Sequence, residues 1–341
     1  MRYFRALMAI ATGALTALPL AAQDSPPLDP DIPPTVVRTG PSLDDRVTIP
    51  INIDGKGPWN FVIDTGSQRT VIARDLADRL ALPNRRIVTI LSMTGKAEVP
   101  TVAVPRLGFG ATTVDDIEAP VLNGEHLGAA GLLGLDSLHA KRVLLNFRTG
   151  RMEISESRRL PPRDPDAIIV EARRRKGQLI LLDSDVNGMK VNIILDTGAN
   201  FSVGNLALRD KLVRKKRAPE LLRASLISVT GDTLTGDVGR LDFVRMGRVK
   251  LTGVPVLFAE ASPFAELGLA DKPALMLGMN ALRLFDRVAI DFGRGKVDFL
   301  LPDTGALDPV RLAAAAPRAG RGGPGCGLVG AGVGGRGGGG G

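Results

Sequence analysis

Cysteine occurs once in the 341 residues, at Cys326, and histidine twice, at His126 and His139. One cysteine closes no internal disulfide, and this set supplies neither a three-histidine nor a four-cysteine zinc site. A cysteine nucleophile would have to be Cys326, which lies among glycines near the end of the chain. A serine triad would have to recruit one of only two histidines. His126 and His139 have no metal-ligand spacing between them and read as loop or surface residues. Aromatic residues make up 4% of the chain, with a single tryptophan and a single tyrosine. That scarcity argues against a base-stacking nucleic-acid platform and against the aromatic sugar platforms of a glycosidase built on two carboxylates. The one tryptophan, Trp59, reads as hairpin or core packing. Beyond the N-terminus no stretch is long and apolar enough to span a bilayer. The chain is 44% hydrophobic and 23% charged, in the range of a folded protein rather than a disordered one. Its length suggests two domains, or one large domain made of two similar halves.

The two ends differ from the middle. Arg2 and Arg5 precede an uncharged apolar stretch over residues 6–20, which closes on Leu20-Ala21-Ala22 before Gln23-Asp24. A short positive segment, a brief apolar run and small residues at its end read as a signal peptide over 1–22. The run is short for a membrane span, and no cysteine follows it to carry a lipid. The expectation is an exported protein, periplasmic or secreted, with no stable membrane insertion once the signal is removed. Residues 23–44 are proline-rich and read as an extended lead-in or short pro-segment. Residues 304–341 are dominated by alanine, glycine and arginine, too poor in apolar surface to offset the entropy of ordering. A disordered tail is expected there. The formal net charge is +8; setting aside Arg2 and Arg5 of the signal and Arg318, Arg321 and Arg336 of the glycine-rich end leaves +3. The basic runs 173–176 and 214–217 carry no interleaved aromatics, so no nucleic-acid partner is expected.

What the body does contain is a repeat. Phe61-Val-Ile-Asp-Thr-Gly-Ser67 matches Ile193-Ile-Leu-Asp-Thr-Gly-Ala199. Upstream of each stands a turn dipeptide, Asp54-Gly55 or Asn187-Gly188, of the kind that favours a two-residue β-hairpin. Downstream, Ser92-Met-Thr-Gly95 pairs with Ser228-Val-Thr-Gly231, and Leu107-Gly-Phe-Gly110 with Val244-Arg-Met-Gly247. Leu132-Leu-Gly-Leu-Asp136 pairs with Met276-Leu-Gly-Met-Asn280, and Arg142-Val-Leu-Leu-Asn-Phe147 with Arg287-Val-Ala-Ile-Asp-Phe292. The halves are placed at 45–157 and 165–303, joined by a linker over 158–164. Short runs of β-branched and aliphatic residues between turn glycines predict mainly strands. Helical spacing is confined to short stretches at 73–82, 137–141 and 205–212. Asp136 and Asn280 are expected to cap short helices, and Asp291, the counterpart of Asn146, to sit at a turn or strand edge.

The repeat places one aspartate in each half. About a pseudo-two-fold axis, Asp64 and Asp196 can meet. Two adjacent carboxyls resist ionising together, hold one proton between them and titrate as a pair. One then takes a proton from water while the other donates to a carbonyl oxygen, which is acid–base chemistry without metal, cofactor, histidine or cysteine. Gly66 and Gly198 let the backbone turn sharply beside the carboxyls. Thr65 and Thr197 can hydrogen-bond across the axis. Ser67 is a possible extra donor to Asp64, one that Ala199 cannot match on the other side.

These motifs resemble those of the bacterial retropepsin-like aspartic proteases of the retropepsin/pepsin superfamily, with two Asp-Thr-Gly halves in one chain, over residues 45–303. The resemblance implies an all-β fold of two pseudo-symmetric acid-protease-like barrel halves with short helices and the active site at their interface. It implies Asp64 and Asp196 as the catalytic pair. It implies that the strands at Leu132, Leu133, Gly134 and Met276, Leu277, Gly278 support the Asp-Thr-Gly loops. Thr94, Gly95, Thr230 and Gly231 fall where the tips of two substrate-covering flaps would be. The only tyrosine, Tyr3, lies in the signal, so the flap tyrosine of pepsins is missing, and the body lacks the disulfides frequent in pepsins. Both departures favour the retropepsin-like branch. The implied function is an aspartic endopeptidase acting on an extended peptide or protein, without cofactor or metal, as a monomer. The alternative is a non-catalytic peptide-binding protein of the same fold.

Overall fold

The computed structural model describes residues 35–38, 40–41, 46–138, 140–158, 164–302 and 329–330. The expected signal peptide over 1–22, His139, Cys326, most of the lead-in and nearly all of the tail lie outside these residues. So do residues 159–163, most of the linker.

Each half begins with the hairpin its turn dipeptide calls for. Val47–Ile53 and Lys56–Ile63 pair antiparallel around Asp54-Gly55, whose φ angles of +49° and +77° are both left-handed. Val186 faces Met189 around Asn187-Gly188 at +48° and +76°. Asn, Asp and Gly tolerate this region at the least steric cost, so these dipeptides turn the chain within two residues.

In the first half six strands close a barrel in the order Val47–Ile53, Lys56–Ile63, Gly131–Leu133, Val71–Ala73, Thr112–Leu122 and Lys96–Phe109. The ring shuts where Asn52 and Ile53 pair with Gly108 and Leu107. The second half repeats the same neighbours with Gln178–Leu181, Asn192–Leu195, Ala274–Leu277, Ser202–Gly204, Val249–Phe258 and Thr233–Met246. Here the first strand breaks at Leu182-Asp183 and resumes as Ser184–Val186, which pairs with Thr233–Met246.

The halves join through one antiparallel sheet. At its centre Lys141–Asn146 pairs with Arg287–Asp291, and Leu144 faces Ala289. Arg151–Glu156 and Lys296–Leu300 flank that pair. The outer positions belong to Thr35–Arg38 on one side and Ile168–Arg175 on the other. Thr35–Arg38 thus occupies the place in the first half that Ile168–Glu171 holds in the second, although its residues read as lead-in. Gly40–Pro41 also pairs, with Val47 and Thr48. In the tail, Val329–Gly330 pairs with Ala224 and Ser225.

The core runs through both barrels and beneath the shared sheet, from Ile49, Ile63 and Phe109 to Leu145, Val288 and Phe299. A second cluster in the second half is built on Ile194, Val203, Leu257 and Phe264, and Met93 of the first half packs against it. Two helices fall where helical spacing indicates, at Arg74–Arg79 and Leu206–Arg214; a third, Leu135–Leu138, starts two residues ahead of the expected stretch 137–141, whose last residue, Lys141, already opens a strand. Three further short helices, Gly124–Leu127, Ser262–Glu266 and Met279–Leu282, carry too few residues for a periodic signal. Among the described residues no helix is long and apolar enough to cross a membrane.

Candidate active site

The strands Lys56–Ile63 and Asn192–Leu195 end at the pseudo-two-fold axis, and Asp64 and Asp196 are the next residues of each. Both are held by the strand beside them. The Asp64 N–H donates to Leu133 O at 3.0 Å, and the Asp196 N–H to Leu277 O at 3.0 Å. Leu132 and Leu133 pair in parallel with Val62 and Ile63, and Met276 and Leu277 with Ile194 and Leu195. The chain then crosses itself. The Gly134 N–H donates to the Thr70 hydroxyl at 3.2 Å, and the Gly278 N–H to the Ser202 hydroxyl at 3.0 Å.

Asn280 does not cap the helix beside it, whereas Asp136 Oδ1 accepts the Ser137 N–H of its helix's first turn at 2.8 Å; both side chains also bind outside their helices. Asp136 Oδ2 accepts from the Thr70 N–H at 2.8 Å, and Asp136 Oδ1 from the Thr70 hydroxyl at 2.7 Å. Asn280 Oδ1 accepts from the Ser202 N–H and hydroxyl at 2.9 and 2.7 Å. Each therefore ties down the strand leaving the Asp-Thr-Gly loop, a long-range bond that capping preferences do not report. Asp291 ends its strand and accepts the Arg294 N–H at 2.9 Å, as Asn146 accepts the Thr149 N–H at 3.0 Å.

Across the axis the two loops interlock. The Thr65 N–H donates to Thr197 Oγ1 at 3.1 Å, and the Thr197 N–H returns the bond to Thr65 Oγ1 at 3.1 Å. Thr65 Oγ1 donates to Leu195 O at 3.0 Å and Thr197 Oγ1 to Ile63 O at 2.7 Å. Each hydroxyl thus links its own loop to the strand entering the other. Gly66 and Gly198 permit the approach. A Cβ on Gly66 would lie 2.7 Å from the Asp196 carboxyl, and one on Gly198 would lie 2.3 Å from Asp64 Cγ.

The two carboxyls meet at the axis, each against the glycine of the opposite loop, and face the same cavity. Asp64 Oδ1 also accepts the Gly66 and Ser67 N–H groups at 2.9 Å each. Asp196 Oδ1 accepts those of Gly198 and Ala199 at 2.9 and 3.2 Å. The Ser67 hydroxyl turns away and donates to Arg69 O at 2.7 Å, so it gives Asp64 no extra side-chain donor. Its short reach favours the nearby carbonyl of its own turn.

Burial is the largest influence on both carboxyls and disfavours their charged forms. Asp196 is pushed up to about 7, by burial first and by the Asp64 charge second. Asp64 is raised by burial too, while the Gly66 and Ser67 N–H groups and the charge of Arg46 act against the rise. The two groups titrate as one unit.

Above the carboxyls lies a cavity of about 500 Å³, a size common for small-molecule and peptide sites. Its walls carry Val71, Leu122 and Leu132 from the first half and Phe201, Leu226 and Met276 from the second. Two hairpins overhang it, Asn84–Leu91 with Lys96–Phe109 and Leu222–Ile227 with Thr233–Met246. Thr94, Gly95, Thr230 and Gly231 sit at their tips, and the tips touch. Thr230 Oγ1 donates to Ser92 Oγ at 3.3 Å, and Thr94 Oγ1 to Asp232 Oδ2 at 3.3 Å. Each tip also docks on a short helix of the opposite half. The Ser262 N–H donates to Met93 O at 3.0 Å, and Gly231 packs on the His126 ring. Trp59 lies away from the cavity, half-buried against the core with the Arg79 guanidinium 5.4 Å from its ring centre. Among the described residues no cluster of three or more His, Cys, Asp or Glu side chains is arranged to hold a metal ion.

Two residues beneath the loops escape motif reading. Arg46 Nη1 donates to Gly198 O at 3.3 Å, and Gln178 Nε2 donates to Gly66 O at 2.7 Å. Both stand 18 residues before the repeated aspartate. A residue-by-residue overlay of the repeats would have paired them, but the unlike side chains hid the correspondence.

The chain belongs to the aspartyl protease family, which matches it twice, over residues 49–137 and 182–281. The match is of the retropepsin-like kind, and its two stretches agree with the two halves. No curated protein matches the chain.

Proposed function

We propose that this chain is an exported aspartic endopeptidase in which Asp64 and Asp196 form a shared catalytic dyad. The observation that carries the reading is the meeting of the two carboxyls at the floor of the cavity, each against the glycine of the opposite loop, with Asp196 pushed up to about 7. In the singly protonated state the ionised carboxyl takes a proton from a water molecule as its oxygen attacks the peptide carbonyl carbon. The protonated carboxyl donates to the carbonyl oxygen, which yields a tetrahedral diol. Transfer of a proton to the amide nitrogen then releases the amine as the C–N bond breaks. The loops need not move, because the threonine bonds hold the carboxyls in register.

The substrate is an extended peptide or protein segment lying between the floor and the two flaps. The apolar walls favour aliphatic or aromatic side chains on either side of the cleaved bond. One chain supplies both aspartates, so a monomer is sufficient. The apolar segment over residues 6–20 supports delivery out of the cytoplasm.

The test is cleavage of an unstructured protein, from acid to neutral pH, by the wild-type chain and by Asp64→Asn and Asp196→Asn. Cleavage that vanishes in both variants is expected. Cleavage that survives either one rules out the dyad. Binding of the same protein without cleavage at any pH makes the chain a peptide-binding relative instead.

A further inference from the structure

The two halves match across the axis in almost every contact with the Asp-Thr-Gly loops, but not in charge. Arg46 stands immediately before the strand Val47–Ile53, and Gln178 opens the strand Gln178–Leu181. Each reaches over the axis to the loop carbonyl of the opposite half, Gly198 O or Gly66 O. One donor is a guanidinium and the other a neutral amide. Arg46 is fully buried, and its other Nη donates to Leu127 O, at the end of the helix Gly124–Leu127. A buried cation is costly unless hydrogen bonds and a nearby negative charge compensate it. Gly198, the residue it grips, lies directly against the Asp64 carboxyl. Among the described residues, the other charged or titratable groups on the cavity wall are Arg69, Lys96 and Glu266, and the helix carries Glu125 and His126. None of these is buried.

We propose that Arg46 is a positioning residue that makes the pseudo-symmetric pair unequal, holding its negative charge on Asp64 and leaving the shared proton on Asp196. This rests on reading Asp64 and Asp196 as a proton-sharing dyad. Asp64 is then the member that deprotonates water, and Asp196 the one that protonates the carbonyl oxygen. Gln178 grips the other loop with the same geometry and no charge.

The experiment follows the carboxyl ¹³C signals of the aspartates through a pH titration of the full chain, beside the pH profile of kcat/KM. The variants are Arg46→Gln, which makes the two halves alike, Arg46→Lys, which keeps the charge, and Gln178→Arg, which places a cation on both sides. In Arg46→Gln the lower titration is expected to rise by about one pH unit. The acid limb of kcat/KM moves with it, giving roughly tenfold less activity on that limb. Arg46→Lys is expected to return most of the shift, which a purely structural role would not do. Gln178→Arg lowers the titration of the pair, and it decides the matter should Arg46→Gln fail to fold. Wild-type titration in a folded Arg46→Gln, or in Gln178→Arg, overturns the proposal. The carboxyl signals report even if the chain cleaves nothing. A charge-dependent titration without cleavage would therefore sink the peptidase reading and leave the role of Arg46 standing.

Discussion

Alanine at Gly66 or Gly198 adds a single methyl group, yet it lands on the carboxyl of the opposite half, at 2.7 and 2.3 Å respectively. Something must shift, and the backbone on both sides is fixed by the threonine bonds, so the carboxyls give way. We expect either substitution to cut kcat by roughly a hundredfold or more, as displacement of a reacting group by about 1 Å does. Kinetics on the folded variants check this. The raised value of Asp196 has a separate consequence for stability. Its ordinary value is 3.8 and burial beside Asp64 pushes it up to about 7. Between those values the native protein keeps a proton that the unfolded chain has released. The contribution is fully present below the lower value and is lost as pH rises through the upper one. Urea unfolding of the wild type should therefore show stability falling from acid toward neutral pH. Asp196→Asn should flatten that slope and gain up to about 4 kcal/mol at neutral pH. Activity of the wild type should fade on the alkaline side of about 7, where the shared proton leaves.

At the scale of elements the site depends on loops that cannot hold their shape alone. Each Asp-Thr-Gly loop is tied to the strand beside it, to the strand leaving it, and to its twin. Thr197 supports three of these bonds, giving one to Ile63 O, accepting one from the Thr65 N–H, and approaching Thr65 Oγ1 at 3.4 Å. Thr197→Val keeps the shape and removes the hydroxyl. The buried Ile63 carbonyl and Thr65 N–H then lose their partners, at about 1–3 kcal/mol each. A lower urea midpoint together with reduced kcat is expected, and a change in KM alone would contradict it. The flaps are elements of another kind. Their stems are antiparallel ladders, the first with a register shift between Asn84 and Ile87, but the tips rest on each other and on helices of the opposite half. The second turn encloses one residue more than the first, because Leu91 faces Lys96 whereas Ile227 faces Thr233. The extra residue, Asp232, is the acceptor for Thr94 and Thr230.

For the whole molecule the decisive element is the sheet that both halves share. Leu145 and Val288 face each other across the joint and are fully buried. Leu145→Ala opens a cavity there and is expected to cost roughly 2–5 kcal/mol. Since this sheet and the threonine bonds join the same two halves, unfolding should remain a single transition, with activity and structure lost together. Separate transitions for the two halves, seen by calorimetry, would show that the sheet is only a weak joint. The charge difference between Arg46 and Gln178 also belongs to this scale, because each donates to the loop of the opposite half.

Most of the architecture could be read in the chain itself. Repeated Asp-Thr-Gly after apolar strands, turn dipeptides ahead of them and apolar-apolar-Gly after them are local patterns. They place Asp64, Thr65 and Gly66 with Asp196, Thr197 and Gly198, because strand and turn preferences act within a few residues. Repetition then implies an axis. The lead-in misled because Thr35–Arg38 is too short and too polar in its surroundings to announce a strand, and only its partner Arg151–Ile154 makes it one. The roles of Asp136 and Asn280, the turned-away Ser67 hydroxyl and the crossed grips of Arg46 and Gln178 depend on residues tens to more than a hundred positions away, or on a choice between equal local acceptors. Local pattern settled which residues repeat. Tertiary structure alone decided which of them meet across the axis and how unequally they are charged, since burial and distance exist only once the two halves have packed.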